Sequence, residues 1–330
     1  GGAVSQSDYL NNQDPDLPDS FPADDPLLPE DLEAPESLEA LAQTLCLPLD
    51  FVEDIWWMLC DKGSVILAGP PGTGKTYVAH QLANFLARDR TTFVQFHPSY
   101  TYEDFVAGYR PSDEEGSLSY RILDGPLVEA VDSASSEMEP DPNFGKAPHV
   151  LIIDEINRAN LSKVFGELMF AIEYRDHQVR LQYQDHGDET RSLAVPRNLL
   201  FIGTMNTADR SVASFDSALR RRFHFVDFDP LKDPIKRVLD VYLDSIGRLD
   251  LVWVSEALQQ TNAELPDPAF AIGPSHFMGK RDITSDDIQR RWRHSVVPYL
   301  EGRFGAEFVK GRKVLVARGE GSLAEGDEGA

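Results

Sequence analysis

The sequence predicts an α/β fold: a parallel five-stranded sheet lies between helices, and a small helical domain comes after it. Three observations carry that prediction. Residues 69–76 read Gly-Pro-Pro-Gly-Thr-Gly-Lys-Thr, which fits the phosphate-loop pattern G-x-x-x-x-G-K-[ST]. Short apolar runs alternate with stretches of helical spacing from Ser64 onward. From Pro230 the pattern turns mainly helical and carries Trp253, Trp292 and Phe304.

Taken in order, residues 1–35 read as an acidic, Pro-rich linker. Fifteen of the 55 acidic residues and none of the 31 basic ones fall within residues 1–61. The net charge of −24 is therefore concentrated there, and the remainder carries 40 acids against 31 bases. A stretch such as Asp14-Pro15-Asp16-Leu17-Pro18-Asp19 cannot bury a core. The overall acidity leaves no electrostatic footprint for nucleic acid, so DNA contact must come from local patches or from another part. No apolar run approaches the ~20 residues of a membrane helix. Cys46 and Cys60 are too few for a disulfide scaffold and read as reduced thiols of a cytoplasmic protein. The start Gly1-Gly2-Ala3-Val4 is neither a signal peptide nor a Met start, and residues are expected to precede it in the natural protein.

Residues 36–229 read as the α/β unit. It opens with two short amphipathic helices broken near Pro48, with Leu38, Leu41, Leu45 and then Phe51, Ile55, Leu59 at helical spacing. Trp56 and Trp57 are expected to pack against the sheet domain. Five buried strands are expected at Ser64–Ala68, Thr92–Phe96, Val150–Ile153, Leu199–Gly203 and Phe223–Val226. Val179 through Val195 alternates and reads as a hairpin before the fourth strand. Residues 230–318 read as a helical lid, and residues 319–330 as a disordered tail.

The candidate nucleotide-binding set is Gly69, Pro70, Pro71, Gly72, Thr73, Gly74, Lys75 and Thr76, with Tyr77 beside it. Glycines let successive N–H groups face a phosphate chain, and the next helix adds its positive end. Lys75 reaches the outer phosphates, and the Thr76 hydroxyl can ligate Mg²⁺. Val150-Leu151-Ile152-Ile153 then leads into Asp154-Glu155. That places two carboxylates at the C-terminal end of a buried strand, where open α/β sheets bind ligands. Asp154 would hold Mg²⁺ and Glu155 would polarise the attacking water. Asn206, at the next strand's tip, positions that water or forms an Asx-turn. Arg220, Arg221 and Arg222 precede the last strand; they supply charge to a transferring phosphoryl group or form a solvated basic helix end. Arg222, nearest the strand, reads as structural.

This set resembles the AAA+ superfamily, which implies a ring, expected to be a hexamer, in which one subunit's arginines complete the next one's site. The likeness extends to a branch. Gln95-Phe96-His97-Pro98-Ser99-Tyr100 through Pro111, Asp154-Glu155-Ile156-Asn157-Arg158-Ala159-Asn160, and Met205-Asn206-Thr207-Ala208-Asp209-Arg210-Ser211 resemble McrB-type GTPases. The resemblance covers roughly residues 50–310. It implies GTP as substrate with Mg²⁺, water placement by Asn206, a signature and contact role for Asp209 with Arg210, and trans action by Arg220 and Arg221. It further implies DNA translocation in antiviral restriction and a McrC-like nuclease partner, with DNA reached through a module outside this chain. The lid run Ile272-Gly273-Pro274-Ser275-His276-Phe277 stands where the family often has Ile-Gly-His-Ser-Tyr-Phe. Two other readings are an ATP-dependent protein remodeller of the MoxR type and a non-catalytic, nucleotide-gated scaffold.

Overall fold

The computed structural model describes residues 34–114, 117–183, 191–209, 217–279 and 283–310. The expected acidic linker up to residue 33, Gly187, Arg210 to Asp216 and the tail lie outside the described residues.

Two helices open the described chain, α1 (Leu38–Leu45) and α2 (Leu49–Lys62). Ser37 starts α1 by accepting a hydrogen bond from the Ala40 amide, and Pro48 separates the two helices. Leu41, Leu45, Val52, Ile55 and Leu59 bury one apolar stripe against the sheet layer. Trp56 meets the rings of Phe85 and Phe144 edge-on. Trp57 is 59% exposed, and its ring meets that of His224 in the sheet domain at 5.6 Å.

The central sheet comprises β1 (Ser64–Gly69), β2 (Thr91–Gln95), β3 (His149–Asp154), β4 (Leu199–Asn206) and β5 (His224–Asp227). Its spatial order is β5-β1-β4-β3-β2, and every pairing is parallel. Alternation of side chains explains why the inner strands read as continuous apolar runs. Ile66, Leu151, Ile153, Leu199 and Phe201 enter the core on one face, while Val65, Leu67, Val150, Ile152, Leu200 and Ile202 enter the core on the other. Helix α3 (Lys75–Ala87) supplies the second face and α4 (Pro126–Ser136) the first.

Two antiparallel hairpins extend this layer. Residues 179–180 pair with 192–193, as the alternation predicts. Residues 107–114 pair with 117–124, a hairpin that the sequence pattern does not announce. Tyr109 from the second meets Tyr183 beside the first edge-on at 5.4 Å.

The C-terminal described part is helical: α5 (Val238–Ser245), α6 (Trp253–Ala263), α7 (Ser285–Arg291) and α8 (Val297–Phe304). These helices share a separate core with Leu239, Leu258, Phe277, Trp292 and Val296. Phe277 stacks on Trp292 at 5.5 Å. Asn262 fastens the Ile272 segment through both its amide and its carbonyl. Among the described residues no helix is long and apolar enough to cross a membrane.

Candidate nucleotide site

β1 ends in the phosphate loop, and α3 begins at Lys75. Gly72 (φ 75) and Gly74 (φ 86) supply the left-handed turns that let the loop curl. Lys75 is held by its own loop: Nζ donates to the Pro70 carbonyl at 2.6 Å and to Thr73 Oγ1 at 3.2 Å. Burial pushes its pKa down to about 8, against the opposing pull of Glu155 and Asp154.

Asp154 closes β3 and gathers donors from three elements. Thr76 Oγ1 donates to its Oδ1 at 2.8 Å, and Thr204 Oγ1 donates to the same oxygen at 2.6 Å. Gln95, paired with it in register from β2, donates to Oδ2 at 3.3 Å. Glu155 comes next in a left-handed conformation (φ 53, ψ 41). Its amide donates to Thr204 Oγ1, and its Oε2 lies 3.3 Å from Arg158 Nε.

Asn206 lies at the tip of β4, in register with Gly69. Its Oδ1 accepts from the Ala208 amide at 3.0 Å, so the Asx-turn geometry is realised. Asn157 clasps the same residue through Nδ2 to the Asn206 carbonyl and Oδ1 from the Asn206 amide. The Thr207 amide in turn donates to the Gly69 carbonyl. Acid strand, Asn206 strand and phosphate loop are thus laced together. Asp209 ends this described stretch, half-buried.

The arginines stand apart from this cluster. They precede β5, whose N-terminal residue His224 pairs with Val65 at the start of β1. Lys62, just before β1, donates to the Arg221 carbonyl. The phosphate loop lies at the other end of β1, roughly 15–20 Å away at ~3.3 Å per strand residue. Arg220 is exposed, with its guanidinium 5.4 Å from the Phe225 ring. Arg221 pairs with Glu173 at 3.1 Å. Arg222, read from the sequence as structural, is buried; it forms an ion pair with Glu173 at 2.7 Å, and its Nε donates to the Met169 carbonyl at 2.6 Å.

The helical part also reaches the loop. The Ser275 amide donates to the Gly72 carbonyl at 3.0 Å, and the His276 ring lies against Gly72. Ser295 Oγ is 3.3 Å from His276 Nδ1, and Arg291 holds the His276 and Met278 carbonyls. Burial, then Arg291, lowers the His276 pKa.

Gln95, Thr204 and Asn157 are site residues that sequence motifs alone do not single out. For Gln95 and Thr204, period-two placement on strands next to Asp154 is the available signal. Among the described residues no group of three or more His, Cys, Asp or Glu could hold a metal ion. The donors at hand are the Thr76 hydroxyl and the Asp154 carboxylate. That pair fits Mg²⁺ bound mainly by phosphate oxygens and water.

A parallel sheet of this order, a phosphate loop on β1 and an acid pair on β3 define an AAA+ P-loop nucleoside triphosphatase. A model of the family "AAA domain (dynein-related subfamily)" matches residues 64–223. The chain is 38% identical over 297 residues to the "Type IV methyl-directed restriction enzyme EcoKMcrB subunit" of Escherichia coli (strain K12), covering 84% of this chain and 61% of that protein. It is 29% identical over 197 residues to the "Type II restriction enzyme BsuMI component YdiS" of Bacillus subtilis (strain 168), covering 48% of this chain and 55% of that one. Over most of its length the chain is similar to the McrB-type AAA+ proteins. It spans less than two thirds of the length of these two relatives.

Proposed function

We propose that this chain is the motor part of a McrBC-like restriction system. It hydrolyses GTP at the seams of a homo-oligomeric ring and drives DNA translocation coupled to a McrC-like nuclease. The α/β unit (residues 36–229) and the lid (230–318) together form one subunit's half of each seam.

One observation carries the ring reading: Arg220 and the phosphate loop lie at opposite ends of adjacent parallel strands. A subunit cannot bring its own Arg220 to its own nucleotide without dismantling the sheet. An exposed arginine in that position serves a neighbouring copy. Within the site, Lys75 and the loop amides from Gly69 to Thr76 bind phosphates, with Tyr77 beside them. Thr76 and Asp154 hold Mg²⁺, which supplies charge neutralisation when bound. Glu155 polarises the attacking water and Asn206 orients it through its amide nitrogen. Asp209 contributes to the subunit contact, and Arg221 supports Arg220.

Restriction is supported by the printed names of the two relatives. GTP is supported by the likeness of Met205-Asn206-Thr207-Ala208-Asp209 to the family run. The test is equilibrium binding of a fluorescent GTP analogue with Mg²⁺, competed by unlabelled GTP and ATP. A preference for GTP of tenfold or more, about 1.4 kcal/mol, is expected. Equal binding, or preference for ATP, would overturn the GTP assignment and favour an ATP-driven remodeller.

A further inference from the structure

Glu173 ends the helix Leu168–Glu173 and has no place in the nucleotide site. A single carboxylate oxygen, Oε2, serves two adjacent cations: Arg221 at 3.1 Å and Arg222 at 2.7 Å. Two neighbouring arginines repel each other, and Arg222 is only 8% exposed. The shared carboxylate offsets that repulsion and fixes the pair to one point. The rest of the segment is seated independently. Leu219 and Phe223 are buried, Arg222 Nε donates to the Met169 carbonyl, and Lys62 donates to the Arg221 carbonyl. Arg220 lies between buried Leu219 and the anchored Arg221–Arg222 pair, and is itself exposed.

We propose that Glu173 is a positioning residue that aims Arg220 at the neighbouring copy's nucleotide. The proposal rests on the reading that Arg220 acts in trans. A misplacement of about 1 Å at a group stabilising a transition state costs on the order of 100-fold in rate. Glu173 therefore governs turnover at a nucleotide that its own subunit does not bind.

Two variants of Glu173, mixed with or set beside two others, separate this role from a purely structural one. Glu173→Gln keeps the shape and an acceptor oxygen but loses the charge. Glu173→Asp keeps the charge and retracts it by one methylene. Both are expected to lower kcat about 10- to 100-fold with KM within about twofold. The decisive measurement mixes Glu173→Gln subunits with Lys75→Ala subunits, whose loop is defective and whose arginines are intact. Seams joining an intact loop to an intact arginine then reappear, and hydrolysis is expected to exceed the sum of the two separate samples at least about fivefold. Full kcat in both Glu173 variants would overturn the proposal. So would nucleotide affinity collapsing along with turnover in both, because the defect would then lie in the fold. A control mixture of Arg220→Ala with Lys75→Ala locates any failure. If only the control recovers, Glu173 does not position Arg220, and the trans reading stands. If neither recovers, the trans reading itself falls, and the proposal falls with it.

Discussion

Thr76 Oγ1 donates a 2.8 Å hydrogen bond to Asp154 Oδ1, joining residues 78 positions apart in the chain. The first turn of α3 and the end of β3 thereby meet at one oxygen. The same oxygen accepts from Thr204, so the carboxylate is oriented before any ligand arrives. Such preorganisation is what electrostatic catalysis requires of its scaffold.

Thr204 links the two acids: it donates to Asp154 and accepts from the Glu155 amide. Thr204→Val keeps the volume and removes the hydroxyl, leaving that amide without its partner. Turnover is expected to fall about 10- to 100-fold while nucleotide affinity changes less than about threefold. Steady-state kinetics set beside equilibrium nucleotide binding checks this.

Lys75 gives the site a pH dependence with a defined sign. Its pKa is lowered to about 8, and binding phosphate needs the charged form. As pH rises through about 8 the free protein loses that proton, and binding must then drive its recapture. Nucleotide affinity is therefore expected to be flat below about 8 and to weaken by up to about tenfold per pH unit above it. Binding titrations on either side of that pH measure the effect, and Lys75→Ala should abolish the slope.

Gly273 has no room for a side chain, because a Cβ there would overlap the Gly72 carbonyl and the Thr73 amide. Backbone, unlike a flexible side-chain tip, cannot swing aside. Gly273→Ala is expected to cost about 1–3 kcal/mol of stability and to displace the phosphate loop. Nucleotide affinity should fall by more than that loss alone implies, as thermal unfolding compared with binding would show.

Arg175 ties the other end of the sheet. It donates to the carbonyls of Ile172, Pro196, Leu199, Lys62 and Gly63 and to Ser64 Oγ, and it lies over the Phe201 ring. Burial lowers its pKa to about 10. Arg175→Met removes all of these hydrogen bonds at once and is expected to cost about 2–4 kcal/mol. Denaturant unfolding should show an earlier midpoint with an unchanged slope.

Much of this site is legible in the sequence because its signals are local. The phosphate loop is eight contiguous residues. The Val150–Ile153 run declares a strand buried on both faces and delivers Asp154 and Glu155 to its tip. The features that escape depend on pairing. Nothing near Leu199–Asn206 says that β4 inserts between β1 and β3, although that insertion brings Thr204 against Asp154. The 107–124 hairpin is hidden because its strands alternate poorly and include Pro111, which argues against a strand. The burial of Arg222 can be anticipated from its place beside β5, yet its partner Glu173 has no signal in the local sequence. For Asn206 the residues allow two readings, and the Ala208 bond realises the turn while leaving the amide nitrogen for other work.

Glu155 sits where the backbone turns left-handed, a region that a residue with a Cβ enters at a cost of about 1–2 kcal/mol. Glycine occupies such a position freely. A chain selected only for endurance would therefore drift toward glycine at 155, become harder to unfold, and lose the carboxylate assigned to water. On the role proposed for that carboxylate, the backbone conformation of this one residue sets durability against turnover.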